Sequence, residues 1–203
     1  MFLSNFLLGL LLAFSPVSAV SAVHEFPPSE IKESPAVPDV PFYSQFSDIN
    51  SIAWKKSACG IASLAMVINF YKPEAVSPEA LLQRGITAGA YVKDKGWSHW
   101  GLVSLAKKYG LDGEPVDLSG LKTDDAFSGL KDALKNGPVI ASVHYKFEPQ
   151  NPIPHLVVIR GLSGNTVFYN DPAGKTGGGE ISTENFLKAW KKRFISFALE
   201  EKG

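Results

Sequence analysis

The chain predicts an α+β fold, with helices first and antiparallel strands after them. Three observations carry this. Between residues 57 and 137 run apolar segments with helical periodicity, opened and closed by capping residues. From Val139 onward the pattern changes to short β-branched runs separated by turn residues. At the head of the helical part stands the only cysteine, Cys59, leading a stretch to Tyr71 that has no charge and only Ser63 and Asn69 clearly polar. A segment apolar nearly all round is a buried helix, and Lys72-Pro73 ends it.

The elements follow in order. Residues 1–22 read as a signal peptide: the apolar run Phe6–Phe14 is broken by Pro16 and followed by small residues at Val17-Ser18-Ala19 and Val20-Ser21-Ala22. The alternative is an uncleaved anchor, which so short a run serves poorly. Residues 23–39, with Pro27, Pro28, Pro35 and Pro38 among charged residues, form an extended tether. The domain spans 40–203. Ser77-Pro78-Glu79 supplies a cap, an N1 proline and an early acid for a helix closed by Gly85. Ser98–Tyr109 is helical up to the stop at Gly110, and Thr123-Asp124-Asp125 opens another helix ending at Asn136-Gly137. Strands are expected at Val139–Tyr145, Leu156–Arg160 and Thr166–Tyr169, the last two joined by the turn Ser163-Gly164-Asn165. Lys175–Glu180 reads as a glycine-rich loop. Ser182 or Thr183 then caps a helix to Trp190, and Arg193–Leu199 is the final strand.

Composition narrows the function. Twenty basic and twenty acidic side chains cancel, so no global field draws nucleic acid or anionic lipid. A membrane partner is expected only through the N-terminal segment, if that is retained. Export, to a secreted or extracytoplasmic location, sharpens the cysteine: a single thiol makes no internal disulfide, and in an oxidising compartment it is buried, paired between chains or reactive. At the start of a helix, unpaired N–H groups and the macrodipole favour its thiolate.

A thiol nucleophile needs a base, a group to orient that base, and donors for an oxyanion. His155 heads the strand Leu156–Arg160 and is the candidate base. Adjacent antiparallel strands set the start of one beside the end of the next, so Asn170 or Asp171 can lie near it. Asp171-Pro172-Ala173-Gly174 also reads simply as a turn. Gln45 and the Cys59 backbone N–H are the candidate oxyanion donors.

Taken together, Val40–Gln45, Cys59–Met66, Gly96–Leu102, Gly137–Ile140, His155–Val158, Asn170–Gly174 and Phe186–Trp190 resemble the C39-like family of papain-like cysteine peptidases over about residues 40–199. The resemblance implies a helical N-terminal half and an antiparallel sheet in the C-terminal half. It also implies Cys59 as nucleophile, His155 as base, Asp171 as orienter, Gln45 as oxyanion donor, and a peptide or protein substrate with no cofactor. Other readings remain: a binding module that holds peptides in the same cleft without turnover, or a cell-wall amidase or acyl transferase using the same groups. His99, His144, His155 and Asp171 lack metal-site spacing. Ala173-Gly174-Lys175-Thr176 imitates the end of a phosphate loop, but Tyr169 stands where its first glycine is required. His99, between Trp97 and Trp100, reads as packed or groove-lining, and His144 as a structural strand residue.

Overall fold

A computed structural model gives the architecture, with Met1 and residues 37–201 described. The expected signal peptide, most of the tether and His24 lie outside the described residues. Helix α1 (Cys59–Tyr71) is the expected buried helix: Gly60 through Asn69 are all buried. Both of its polar side chains are paired. Ser63 Oγ donates to the Leu156 carbonyl at 3.2 Å. Asn69 Nδ2 donates to the Val76 carbonyl at 2.8 Å, and Asn69 Oδ1 accepts from Val76 N at 3.1 Å. Left unpaired, each such group would cost about 1–3 kcal/mol.

Helix α2 (Pro78–Thr87) starts where the sequence requires, with Ser77 Oγ accepting from Ala80 N at 3.2 Å. A two-residue hairpin, β1 (Tyr91–Val92) and β2 (Gly96–Trp97), leads into α3 (His99–Lys107), capped by Ser98. Next come β3 (Leu111–Asp117) and α4 (Thr123–Leu134), then β4 (Val139–His144), β5 (Pro154–Ser163), β6 (Thr166–Asn170) and β7 (Gly179–Ser182). The last two elements are α5 (Thr183–Ala189) and β8 (Trp190–Leu199). The six longer strands form one antiparallel sheet in the order β3-β8-β4-β5-β6-β7.

Helices cover both faces of that sheet. On one side Ile140, Leu156, Val158 and Ile195 pack with Leu64, Met66 and Leu102 of α1 and α3. On the other, Ala141, Val157, Ile159 and Phe194 pack with Leu130 of α4 and Phe186 of α5. This double burial is why β5 reads as an unbroken apolar run.

The fold is α+β, but the division into a helical half and a sheet half is less clean than expected. Strand β3 precedes α4, in a segment where no strand was expected. Its sequence, Leu-Asp-Gly-Glu-Pro-Val-Asp, shows no apolar alternation because β3 is an edge strand that, among the described residues, pairs only with β8. An edge tolerates charges and a proline without an N–H. The glycine-rich loop is likewise shorter than expected, since Gly179–Ser182 pairs with β6 as the opposite edge. Among the described residues, no helix is long and apolar enough to cross a membrane.

Candidate active site

Cys59 is the first residue of α1, partly exposed, and no side chain caps the helix at Ala58. The first-turn N–H groups at the sulfur are therefore not taken by a cap. Two aromatic contacts fix this end of the helix. Trp97 Nε1 donates to the Ser57 carbonyl at 2.7 Å, and its ring lies against Gly60, where an added Cβ would come within 2.9 Å of Trp97 Cβ. Glycine at position 60 is what allows the indole to lie so close.

His155 stands at the head of β5, paired with Val143 of β4, and is 5% exposed. Its Nε2–H donates to Asp171 Oδ1 at 2.6 Å. The same oxygen accepts from Ala173 N at 2.8 Å. Asp171 thus closes its own turn and also bonds the imidazole. The hairpin register explains the meeting: Val158 pairs with Asn170, so the residue after Asn170 arrives beside the head of β5. Tyr145 meets the imidazole edge-on, with ring centroids 5.1 Å apart.

With Nε2 committed to Asp171, Nδ1 is the nitrogen left for the thiol, and Cys59 is within hydrogen-bonding reach of His155. Burial by itself would lower the imidazole pKa. The hydrogen bonds His155 makes to Asp171 and Cys59, with the charges of both, outweigh it and raise His155 to about 9. At neutral pH the ring is an imidazolium held between a carboxylate and the sulfur.

Asn170 takes no part in this. It is 1% exposed, its Nδ2 donates to the Val40 carbonyl at 3.0 Å, and its Oδ1 accepts from Gly178 N at 2.9 Å. Both ends of the amide are used to tie the entry segment to the loop before β7. Gln45 is also buried. Its backbone N–H donates to the Pro172 carbonyl at 2.8 Å, next to Asp171. Its Nε2 donates to the Lys55 carbonyl at 2.8 Å, in the 3-10 turn Lys55–Ser57 that delivers Cys59. The amide nitrogen keeps a second N–H, while Oε1 is buried without a partner among the described residues. Ser44, which sequence reasoning missed, joins the same seam by donating to the Gly174 carbonyl at 2.9 Å.

A cavity of about 450 Å³ opens beside Cys59 and His155, with Trp97, His99 and Ser142 among its walls. His99 Nε2 lies 3.0 Å from Ser142 Oγ. Burial, then the Arg193 charge, push the His99 pKa down against a smaller opposing effect of Asp117, so this histidine is neutral in the cleft. His144 is structural, its Nδ1–H donating to the Asn151 carbonyl at 2.8 Å. Among the described residues, no group of three His, Cys, Asp or Glu could hold a metal ion.

A buried helix that begins at a cysteine, facing an antiparallel strand headed by a histidine, defines the papain-like cysteine-peptidase fold, and solved structures agree. Within that class, the chain belongs to the Peptidase_C39 like family, whose model matches residues 37–194. It is similar to a double glycine motif protease from an AMS/PCAT transporter, solved in complex with the leader peptide. That match has 26% identity and a TM-score of 0.56, covering 82% of this chain and 96% of the other. The peptidase domain of Streptococcus ComA, a bi-functional ABC transporter, shares the fold at 23% identity and a TM-score of 0.54, covering 71% of this chain and 93% of the other. Comparison with curated proteins by sequence found no match.

Proposed function

We propose that this protein is a cysteine peptidase acting on peptide substrates through Cys59, His155 and Asp171. The observation that carries the reading is the position of His155, bonded through Nε2 to a carboxylate while it reaches the single thiol with its other side. The Cys59 thiolate attacks the substrate carbonyl carbon. The oxyanion that forms is met by the Cys59 backbone N–H and the free N–H of Gln45 Nε2. The His155 imidazolium protonates the leaving amine, and an acyl-enzyme remains on sulfur. His155, now neutral, takes a proton from water, which attacks the acyl carbon and frees the thiolate. Asp171 holds the ring in the tautomer and orientation this requires.

A peptide substrate is supported by the leader peptide bound to the AMS/PCAT transporter protease. Work outside the cytoplasm is supported by the apolar run Phe6–Phe14 and the lone cysteine. The test is digestion of a degenerate peptide library by the wild type and by Cys59→Ala, read by mass spectrometry. New termini are expected with the wild type alone; equal digests, or none from either protein, would refute turnover.

A further inference from the structure

The start of β8 is irregular, and the irregularity faces the cavity beside Cys59. Trp190 pairs with Val143 and Phe194 with Ala141, so five residues of β8 span what three of β4 cover. Lys192 in the middle has φ of 55°, a left-handed conformation that costs a non-glycine residue roughly 1–2 kcal/mol. The strain is held in place from outside the strand. The Lys192 carbonyl accepts from Leu118 N at 2.8 Å, and its Nζ donates to the Leu121 carbonyl at 2.8 Å. Bulges of this kind re-aim side chains next to active sites. Here the flanking residues, Lys191 and Arg193, both line the cavity, and Lys95 joins them.

Besides the His155 imidazolium, three cationic side chains therefore meet one carboxylate in the cavity wall, Asp117, which accepts from Arg193 Nε at 2.8 Å. Lys191 has no carboxylate within ion-pairing distance among the described residues, and burial followed by the Arg193 charge lowers its pKa. His99 adds no charge. In a chain whose formal charges cancel, this concentration of positive charge at the reactive thiol is local.

We infer that the cavity beside Cys59 is an anion-selective subsite that takes a substrate carboxylate next to the scissile bond, with Lys191 and Arg193 as its specificity-determining residues. The inference deepens the peptidase reading and rests on it for the word substrate. A carboxylate there would satisfy the unpaired Lys191 ammonium and share the Arg193 guanidinium with Asp117. It could come from an acidic side chain or from the chain end of the peptide.

The cavity's field is testable without turnover, because Cys59 is the only thiol. Anionic iodoacetate and neutral iodoacetamide alkylate the same sulfur, and the ratio of their rates reports local charge. In Lys191→Glu the ratio should fall by about threefold or more, with the iodoacetamide rate within about twofold of wild type. Lys191→Gln should give a smaller fall in the same direction and serves if the reversal disturbs folding. The His155 charge is common to all three proteins and cancels. Peptides differing only in Glu, Gln or Lys beside the cleaved bond, each with a free or amidated C-terminus, then separate the two carboxylate sources. Faster cleavage of the Glu peptides whatever the C-terminus assigns a side chain; faster cleavage of free over amidated ends assigns the chain end. A lowered ratio with no peptide cleaved would uphold the anion subsite and overturn the peptidase reading. An unchanged ratio in both variants, or cleavage indifferent to both carboxylates, would overturn the subsite.

Discussion

The bond from His155 to Asp171 can be weighed. Raising an imidazole pKa from the ordinary 6.5 to about 9 is roughly 3 kcal/mol of preference for the charged ring. That preference survives the opposing cost of burial, and the Asp171 hydrogen bond is the largest of the contributions that raise it. Asp171→Asn keeps an oxygen for Nε2–H and for Ala173 N but removes the charge. His155 should then titrate about one pH unit or more lower, and Asp171→Ala lower still. The same preference is a stability term. The folded pKa lies above the unfolded one, so the stabilisation is complete below about pH 6.5 and is lost as pH rises through about 9. Asp171→Ala should therefore cost about 2 kcal/mol of unfolding free energy at pH 6, and its deficit should shrink above pH 9. NMR titration of the His155 ring proton and urea unfolding at pH 6, 7.5 and 9.5 supply both readings, and the alkaline limb of kcat/KM should move with the ring. A His155 titration that is the same in wild type and in both variants would refute the assignment of Asp171 as its partner.

Three further substitutions separate roles that the site places close together. Asn170→Ala leaves the His155 carboxylate in place, so it should lower stability by about 1–3 kcal/mol in urea unfolding while the ring titrates as in wild type. Gln45→Ala should alkylate with iodoacetamide at close to the wild-type rate yet turn over at least about tenfold more slowly, since an oxyanion donor acts on charge that develops only in the transition state. Equal losses of stability and alkylation would instead make Gln45 an anchor for the Lys55 turn. Gly60→Ala drives a Cβ against Trp97 and should lower the melting temperature by a few degrees, at a cost of about 1–3 kcal/mol, with a changed alkylation rate because the indole also holds the Ser57 carbonyl.

Much of this fold can be read without coordinates, for identifiable reasons. Helix α1 declares itself because it is buried all round, and α2 and α3 because Ser77 and Ser98 cap them. The approach of the Asn170-Asp171 pair to His155 follows from hairpin logic, since β5 and β6 are joined by a short turn. What resists reading is whatever lacks a periodic apolar face. Strand β3 is disguised by Pro115 and its charges, and β7 by its neighbouring glycines. Helix α4 starts after Lys122 with no side-chain cap, though its early acids mark the spot. The choice between Asn170 and Asp171 rests on which side chain the entry segment already occupies, a contact 130 residues apart in sequence. The bulge at Lys192 leaves no local mark at all, because a lysine there looks like any strand surface residue.

The bond from Ser63 to the Leu156 carbonyl has a consequence for how the site comes apart on unfolding. It crosses from the middle of α1 to the residue after His155, inside the core, with no loop intervening. Sulfur and imidazole are thus mounted on two elements joined through the buried core, which are expected to open together. Amide exchange in α1 and β5 should therefore share a single protection free energy close to that of global unfolding. Activity in denaturant should persist up to the transition and vanish with it, so the reactivity of one thiol becomes a sensor for the integrity of the whole domain.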